Sequence, residues 1–312
     1  MRQWILISKP TGLPALSGDN QTFKLPTVDL PLPLKENQVL VKLLLPLQRP
    51  CSTGRDLSPT STQTDYTSHP SSSTHPMHAR GLAGVLDPKS ENVKKGDIVT
   101  AQTGWSKYAV VDARAVQSAP ELPGELSRTH YLGALGMMGL TAYYRIEEVR
   151  GTEKGYVVVV SGAAGATGSM AIQIAIQIVG AKRVVGIAGG EEECRFVIEG
   201  LGTDACVDYK REELRKAASA EVGGNEKGHV DVYFDNVGGE MVDFMLSRMA
   251  MHGRVVACAA VSEYNSSQGT LLRNYFEIIS MRIQIRGTIV LEYSSMAQEV
   301  TGSSSGRFRK AS

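Results

Sequence analysis

The sequence predicts an α/β fold, in which a doubly wound parallel sheet follows a β-rich domain. Beyond residue 155, five strand-like segments alternate with stretches that are long enough for helices. The first of these segments, residues 156–160, is apolar throughout, as expected for a strand that is covered on both faces. A glycine-rich turn at 161–168 then leads directly into an apolar helical pattern at 169–179. Strand, turn and helix in this order are typical of doubly wound sheets that bind a ligand at their carboxyl edge.

The β-rich domain is predicted to span residues 1–125. Proline and glycine interrupt short apolar runs between residues 3 and 41, which favours strands and turns over helices. Further strands are predicted at 81–86, 98–99 and 105–111. Residues 48–80 form an atypical segment that is rich in serine, threonine, proline and histidine. We expect most of this segment to be disordered, because it offers few apolar side chains to bury.

The second domain is predicted to span residues 126–290. A helix is predicted at 129–144, where apolar residues recur at roughly helical spacing despite several glycines. The remaining strands of the parallel sheet are predicted at 183–187, 205–208, 230–235 and 254–259. Residues 291–312 are rich in serine and glycine and end in basic residues, so we expect them to form a disordered tail.

The balance of charges limits the classes of partner. The 312 residues include 33 lysines and arginines against 32 aspartates and glutamates, so no net field attracts nucleic acid or an anionic membrane. The opening residues 1–8 are too short for the apolar core of a signal peptide, and no stretch approaches the roughly 20 apolar residues of a membrane span. We therefore expect a cytoplasmic protein that binds a small molecule.

The thiols and histidines do not predict a metal site. The cysteines are Cys51, Cys194, Cys206 and Cys258. They form no C-x-x-C pair, so we interpret them as isolated reduced thiols. His69, His75 and His78 lie in the serine-rich segment without matching carboxylate or thiolate partners, so no metal is expected there.

The turn at 161–168 has the sequence SGAAGATG, which suits a dinucleotide. Small residues let the backbone approach a pyrophosphate, and the N-terminus of the following helix offers unpaired N–H groups and a partial positive charge. Gly168 would allow the helix and the strand to pack closely. The alternative is a tight turn that binds nothing, but the position between a strand and a helix favours cofactor binding.

The end of the second strand of the sheet leaves the choice of nicotinamide cofactor open. This strand ends in glycines, among them Gly189, so no carboxylate stands at its tip to bind the ribose 2'-hydroxyl of NAD. That absence favours room for the 2'-phosphate of NADP. However, three glutamates follow at 191–193, and their charge would repel a phosphate. The alternative is that these glutamates only open a helix and interact with its dipole.

Several motifs together resemble one known family. The matching segments are 94–99 (KKGDIV), 136–143 (GMMGLTAY), 163–168 (AAGATG), 232–239 (VYFDNVGG), 262–265 (SEYN) and 287–290 (GTIV). They resemble the zinc-independent medium-chain dehydrogenases/reductases that include prostaglandin reductase, leukotriene B4 12-hydroxydehydrogenase and plant alkenal double-bond reductases. The resemblance covers about residues 3–45 and 81–293 in family order. It implies a GroES-like catalytic domain followed by a Rossmann domain.

The resemblance also implies an activity and a set of site residues. The reaction would be the NADPH-dependent reduction of the carbon–carbon double bond of a hydrophobic α,β-unsaturated ketone or aldehyde. Tyr264 matches the tyrosine near the nicotinamide ribose and the substrate carbonyl, so it is the candidate catalytic residue that stabilises the enolate oxygen or donates a proton. The cofactor contacts implied by the family are Ala164, Gly165, Ala166, Thr167, Gly168, Gly189, Tyr209, Lys210, Asn236, Ser262, Tyr264, Thr288, Ile289 and Val290. The segment 281–290 would form a strand that pairs with a second subunit in a homodimer.

The chain departs from the family at three places. Glu193 stands where the family has a lysine that contacts the 2'-phosphate, which makes NADH a possible cofactor beside NADPH. Residues 49–54 read RPCSTG in place of a segment like DPYMRG that helps to wall the substrate pocket. The family continues for roughly forty residues past Tyr293, whereas 291–312 would be a truncated return to the catalytic domain.

Two alternative functions stay open beside enone reduction. The departures in the catalytic domain are consistent with a catalytically impaired protein that binds a nicotinamide cofactor. A related quinone oxidoreductase would share the glycine-rich turn and the sheet, but it should lack the SEYN and FDNVGG motifs.

Overall fold

A computed structural model of the chain describes residues 1–7, 15, 17–19, 21–47, 79–148, 155–211, 230–263, 269 and 271–287. The chain divides into two compact units, Met1–Gly133 and Ala134–Ser312, which are described separately below. The disorder predicted for most of 48–80 and for 291–312 concerns residues outside the described ranges, apart from residues 79 and 80. No helix within the described ranges is both long and apolar enough to cross a membrane.

The first unit is built from antiparallel strands, as its short apolar runs predict. Its strands are β1 (Ile5–Leu6), β2 (Phe23–Lys24), β3 (Gln38–Leu47), β4 (Arg80–Pro88), β5 (Ile98–Gln102), β6 (Tyr108–Asp112) and β7 (Gln117–Ser118). The last five form a sheet of order β6-β3-β4-β5-β7, while β1 pairs with β2. Val39 and Val41 alternate with more exposed residues along β3 and pack with Val85 and Val99 in the core of this unit.

The second unit contains a six-stranded sheet in which every neighbouring pair is parallel. Its strands are β8 (Val157–Ser161), β9 (Arg183–Ala188), β10 (Ala205–Asp208), β11 (Val230–Asp235), β12 (Met249–Ala257) and β13 (Gln284–Gly287). The order β10-β9-β8-β11-β12-β13 is that of a doubly wound nucleotide-binding sheet, so the predicted fold class is confirmed. The sheet reverses its direction of growth between β8 and β11.

The helices of the second unit cover both faces of this sheet. They are α1 (Met137–Glu148), α2 (Ala166–Ile174), α3 (Glu191–Arg195), α4 (Gly239–Leu246) and α5 (Tyr275–Ser280). Val158 and Val160 of β8 belong to one buried cluster, whereas Val159 between them belongs to another. Because successive side chains of a strand point to opposite faces, β8 has to be apolar at every position.

Two of the predicted element boundaries are wrong. The helix predicted at 129–144 begins only at Met137, and Arg128–Leu132 forms a short 3₁₀ turn instead. Gly133 leaves the helical region with φ −114° and ψ −102°, which separates the two segments. Strand β12 begins at Met249 rather than at residue 254 and includes His252 at φ 64°, an irregularity that the sequence pattern does not reveal.

Candidate dinucleotide-binding site

The candidate site lies at the carboxyl ends of β8 and β11, where the sheet changes direction. Ligands of doubly wound sheets bind in the crevice at this switch point, because the loops that follow the two strands diverge there. Strand β8 ends at Ser161 and β11 ends at Asp235. The loops that follow them contain the glycine-rich turn and Asn236, so the fold brings these predicted site residues together.

The glycine-rich turn is held by backbone hydrogen bonds. The N–H of Ala163 donates to the Ile187 carbonyl over 3.0 Å, and the N–H of Gly165 donates to the Gly162 carbonyl over 3.0 Å. A Cβ added to Gly168 would overlap the Gly162 carbonyl oxygen and would lie 2.9 Å from its carbon and 3.0 Å from Ala163 Cα. Position 168 therefore requires glycine, because any side chain would push the first turn of α2 away from the turn at Gly162.

The N-terminus of α2 presents its backbone donors without a side-chain cap among the described residues. The N–H of Ser169 is bonded to the Gly165 carbonyl over 2.8 Å, so the N–H groups of residues 166–168 have no acceptor within the helix. Gly165 and Ala166 are exposed, while the Thr167 hydroxyl donates to Met138 Sδ over 3.2 Å. Three free donors at the positive end of a helix suit an anionic group such as a pyrophosphate.

A buried carboxylate holds the opposite wall of the crevice. Asp235 is 3% exposed, and its Oδ1 accepts hydrogen bonds from the Tyr233 hydroxyl at 2.9 Å and the Ser161 hydroxyl at 3.1 Å. The same oxygen accepts the N–H groups of Val237 and Gly238, each at 3.0 Å. Burial and the nearby Asp235 charge raise the pKa of Tyr233 well above its usual value, so this phenol stays a donor. The network fixes the loop that follows β11.

Asn236 joins the two strand ends directly. Its backbone N–H donates to the Ser161 hydroxyl at 3.0 Å, and its side-chain amide donates to the Ser161 carbonyl at 2.7 Å. The loop after β12 packs against the same region, since the Ser262 hydroxyl donates to the Val237 carbonyl at 2.6 Å. Asn236 and Ser262 thus flank residues 237–239, a segment that includes Gly238 and Gly239 at positive φ.

A second group of predicted residues gathers at the ends of β9 and β10, which we call the β9–β10 corner (Gly189, Gly190, Glu193, Asp208, Tyr209 and Lys210). Strand β9 itself ends without a carboxylate, as the sequence indicates, but the Glu193 side chain of α3 turns back to it and its Oε2 accepts the Gly189 N–H at 2.9 Å. Lys210 Nζ donates to the carbonyl of the same Gly189 at 2.9 Å. The Glu193 carboxylate and the Lys210 ammonium group therefore both lie at Gly189, at the tip of β9.

The remaining corner residues hold this arrangement in place. Asp208 Oδ1 accepts the N–H of Gly190 at 2.8 Å and that of Lys210 at 3.0 Å. The Lys210 N–H is the largest of the causes that lower the pKa of Asp208, and the Gly190 N–H and the Arg211 and Lys210 cations act in the same direction. Tyr209 is 49% exposed, and a Cβ on Gly189 would approach its ring to 2.8 Å. Gly189 therefore makes room for the tyrosine.

The predicted site residues fall into three sets. Residues 164–168, Asn236 and Ser262 lie at the switch point, while Gly189, Tyr209 and Lys210 meet at the β9–β10 corner. Tyr264, Thr288, Ile289 and Val290 lie outside the described residues. The role of Asp235 was missed by the sequence reasoning, although its position before Asn236 at the end of an apolar strand was a usable signal.

The interpretation of the cysteines as isolated thiols is wrong for two of them. Cys194 of α3 and Cys206 of β10 face each other with their sulfurs 2.8 Å apart. Their separation of twelve positions in sequence hides this proximity, which arises only when α3 packs beside the strand pair β9–β10. Across the described ranges, no three His, Cys, Asp or Glu residues are grouped so that they could hold a metal ion.

The chain matches two family models and is similar to several reductases. Residues 166–303 match the zinc-binding dehydrogenase model, and residues 2–119 match the model of the N-terminal domain of oxidoreductase. A 2-alkenal reductase (NADP(+)-dependent) of Nicotiana tabacum is 33% identical over 293 residues, which is 94% of this chain and 82% of that protein. Prostaglandin reductase 1 of Bos taurus is 32% identical over 96% of this chain and 84% of its own length.

A solved structure agrees with these sequence matches. The crystal structure of CurA from Vibrio vulnificus in complex with NADPH has a TM-score of 0.83 and 27% identity, and the alignment covers 99% of this chain and 88% of that one. The family resemblance drawn from the motifs is thus confirmed. The chain belongs to the medium-chain dehydrogenase/reductase family and is an oxidoreductase of the group that contains the alkenal and prostaglandin reductases.

Proposed function

We propose that this protein uses NADPH to reduce the carbon–carbon double bond of α,β-unsaturated ketones or aldehydes. The observation that carries the proposal is the uncapped N-terminus of α2 at the switch point, in a chain similar to a 2-alkenal reductase over most of its length. The residues fit a dinucleotide, because small side chains at 162–168 leave the backbone accessible and three N–H groups can bind its pyrophosphate. When bound, the nicotinamide supplies the hydride for the β-carbon.

The chain's own residues hold the reactants and stabilise charge. Asn236 and Ser262 are proposed to line the nicotinamide half of the site, together with Thr288, Ile289 and Val290. Tyr264 is proposed to donate a hydrogen bond, and then a proton, to the enolate that forms from the substrate. These roles rest on the family motifs in which the residues stand.

Turnover of reduced cofactor in the presence of several substrates tests this function. Purified protein is titrated with NADPH by fluorescence, and an alkenal, an enone and a quinone are then added while the reduced nicotinamide absorbance is followed. Oxidation of NADPH with the alkenal or the enone, and reduction of their double bonds, is the expected result. Binding without turnover would favour an impaired cofactor-binding protein, and turnover with the quinone alone would favour a quinone oxidoreductase.

We also propose that the β9–β10 corner sets the preference between NADPH and NADH. The Lys210 ammonium group lies at the tip of β9, where it contacts the Gly189 carbonyl. We propose that it binds the 2'-phosphate together with the exposed Tyr209. The Glu193 carboxylate at the same tip opposes that phosphate but can accept a ribose 2'-hydroxyl. We therefore expect NADPH to be preferred by a modest factor, with NADH still used.

Substitutions at Lys210 and Glu193 should shift this preference in opposite directions. K210M is expected to weaken NADPH binding about 10-fold or more, because a charged hydrogen bond contributes about 1.5–3 kcal/mol, while NADH binding changes little. E193Q keeps an acceptor for the Gly189 N–H but removes the repulsion, so NADPH binding should tighten roughly 5-fold. The dissociation constants of both cofactors, measured by fluorescence titration, report these changes.

A matched control separates local charge from the general charge of helix α3. Glu192 is exposed and stands next to Glu193, so E192Q removes the same charge one position away and should leave the ratio of the two dissociation constants unchanged. If K210M weakened NADH and NADPH equally, Lys210 would act by anchoring the Gly189 carbonyl and not by binding the phosphate.

We further propose that the protein forms a homodimer that joins through β13. This strand lies at one edge of the sheet, and its Ile285 is 43% exposed. In the adjoining helix α5, Phe276 is 70% exposed and Ile279 is 62% exposed. Large apolar side chains that are exposed next to each other are typical of a protein–protein interface. Light scattering after size-exclusion chromatography should give twice the chain mass, and I279E should shift the protein toward the monomer.

A further inference from the structure

Cys194 and Cys206 are placed close enough to react with each other. The Cys206 thiol donates to Cys194 Sγ over 2.8 Å, and both cysteines are free thiols in the structure. The sulfur–sulfur bond of a disulfide is about 2.05 Å long, so the two atoms need to approach by only about 0.8 Å. Both residues are partly exposed, so a small oxidant can reach the pair.

The backbone holds both cysteines in position. The Cys194 N–H donates to the Gly190 carbonyl over 3.0 Å, which ties the start of α3 to the end of β9. Cys206 stands opposite Gly186 in the parallel pairing of β9 with β10. Because each thiol is attached to an element anchored on β9, their proximity is a property of the folded sheet and not of two mobile side chains.

We propose that Cys194 and Cys206 form a reversible disulfide when the protein meets a peroxide. The Cys194 thiolate attacks one oxygen of hydrogen peroxide, which breaks the O–O bond and gives a sulfenic acid and hydroxide; the hydroxide takes up the proton that the Cys194 thiol had released and becomes the first water. The Cys206 sulfur then attacks the sulfenic sulfur, forms the S–S bond and releases a second water that carries the Cys206 proton. Two thiols are oxidised by two electrons and one peroxide is reduced, and a dithiol reductant reverses the reaction.

The order of these steps follows from the environment of the thiols. Burial is the largest cause that raises the pKa of Cys206, and the bond with Cys194 acts in the same direction. Because Cys206 is the donor in the contact between the two sulfurs, we assign it as the resolving thiol and Cys194 as the attacking group. Cys258 offers an internal reference, because burial raises the pKa of its thiol to about 11 and makes it a poor nucleophile.

The disulfide would join α3 to β10 beside the β9–β10 corner. Cys194 directly follows Glu193, and Cys206 precedes Asp208 by two positions, so the bond joins the two segments whose carboxylates cap Gly189 and Gly190. The proposal does not depend on the proposed reductase function, since the thiols lie in this position whether or not a cofactor binds.

Peptide mapping tests the proposal directly, because trypsin separates the two cysteines. Cleavage after Arg195 leaves Cys194 in peptide 184–195 and Cys206 in peptide 196–210. After treatment with hydrogen peroxide and alkylation of the remaining thiols, the two peptides should appear linked, with a mass two hydrogens below their sum. A dithiol reductant added before digestion should restore both alkylated peptides, and the melting temperature of the oxidised protein should rise by about 5 °C.

Variants and the other outcomes make the test decisive. C194S should prevent the linked species and leave Cys206 alkylatable, and C206S should leave Cys194 as a sulfenic or a more oxidised acid. Peptides linked within a single wild-type chain, isolated as the monomer band of a denaturing non-reducing gel, support the proposal, whereas a disulfide found only between two chains overturns it. Equal alkylation of 184–195 and 196–210 before and after peroxide also overturns it, and this measurement needs no variant to fold.

Discussion

Replacing Gly168 by alanine is expected to abolish cofactor binding and to lower the free energy of unfolding of the second unit by about 3 kcal/mol. The added Cβ would overlap the Gly162 carbonyl oxygen and lie 2.9 Å from its carbon, and both groups belong to the backbone. The clash cannot be relieved by turning a side chain, so the first turn of α2 has to move away from the end of β8. The N–H groups that we assign to the pyrophosphate move with it.

Two measurements and one control test this expectation. Denaturant unfolding gives the loss of stability, and fluorescence titration gives the loss of NADPH binding. G84A is the matched control, because a Cβ at Gly84 meets only side-chain atoms at 3.8 and 3.9 Å, which are ordinary contacts. G84A should change the free energy of unfolding by less than about 1 kcal/mol. Wild-type NADPH affinity in G168A would show that the position of the α2 N-terminus does not matter for binding.

Replacing Asp235 by alanine is expected to destabilise the second unit by about 4 kcal/mol. The substitution leaves the Tyr233 hydroxyl, the Ser161 hydroxyl and two backbone N–H groups without their common acceptor in a site that is nearly closed to water. Because this oxygen also orders the loop that carries Asn236, cofactor binding should weaken at the same time. Unfolding of the wild-type protein and the variant in urea measures the loss of stability, and an NADPH titration measures the loss of cofactor binding.

A graded series distinguishes the hydrogen-bond network from a simple loss of volume. Y233F removes one donor and should cost about 1 kcal/mol, since the remaining three donors keep their acceptor. D235N keeps a neutral oxygen and should fall between Y233F and D235A. If Y233F and D235A lowered stability equally, the buried carboxylate would not be the organising group of this loop.

The parallel sheet is the part of the fold that could be predicted best from the sequence. Strand β8 is apolar at successive positions because its side chains enter two cores, and few other structures require such a run. The glycine turn was recognisable for a similar reason, since Gly168 has no sterically allowed replacement. The predicted helix at 129–144 failed because apolar spacing does not report the backbone break at Gly133.

The β9–β10 corner shows why parts of the site were not predictable. The sequence shows glycines at the end of β9 and glutamates after them, but not that Glu193 turns back to the Gly189 N–H while Lys210 reaches its carbonyl. Those contacts depend on how α3 and β10 pack beside β9, and residues far apart in sequence take part in them. The same packing brings Cys194 close to Cys206, and no local sequence motif predicts this contact.

The contact between Glu193 and a backbone N–H has an evolutionary consequence. The Gly189 amide requires an acceptor but not a charge, so glutamine can replace glutamate without disturbing the strand end. A single-nucleotide change converts a glutamate codon into a glutamine codon. If the corner sets the cofactor preference as we propose, a lineage carrying it changes that preference in one mutational step.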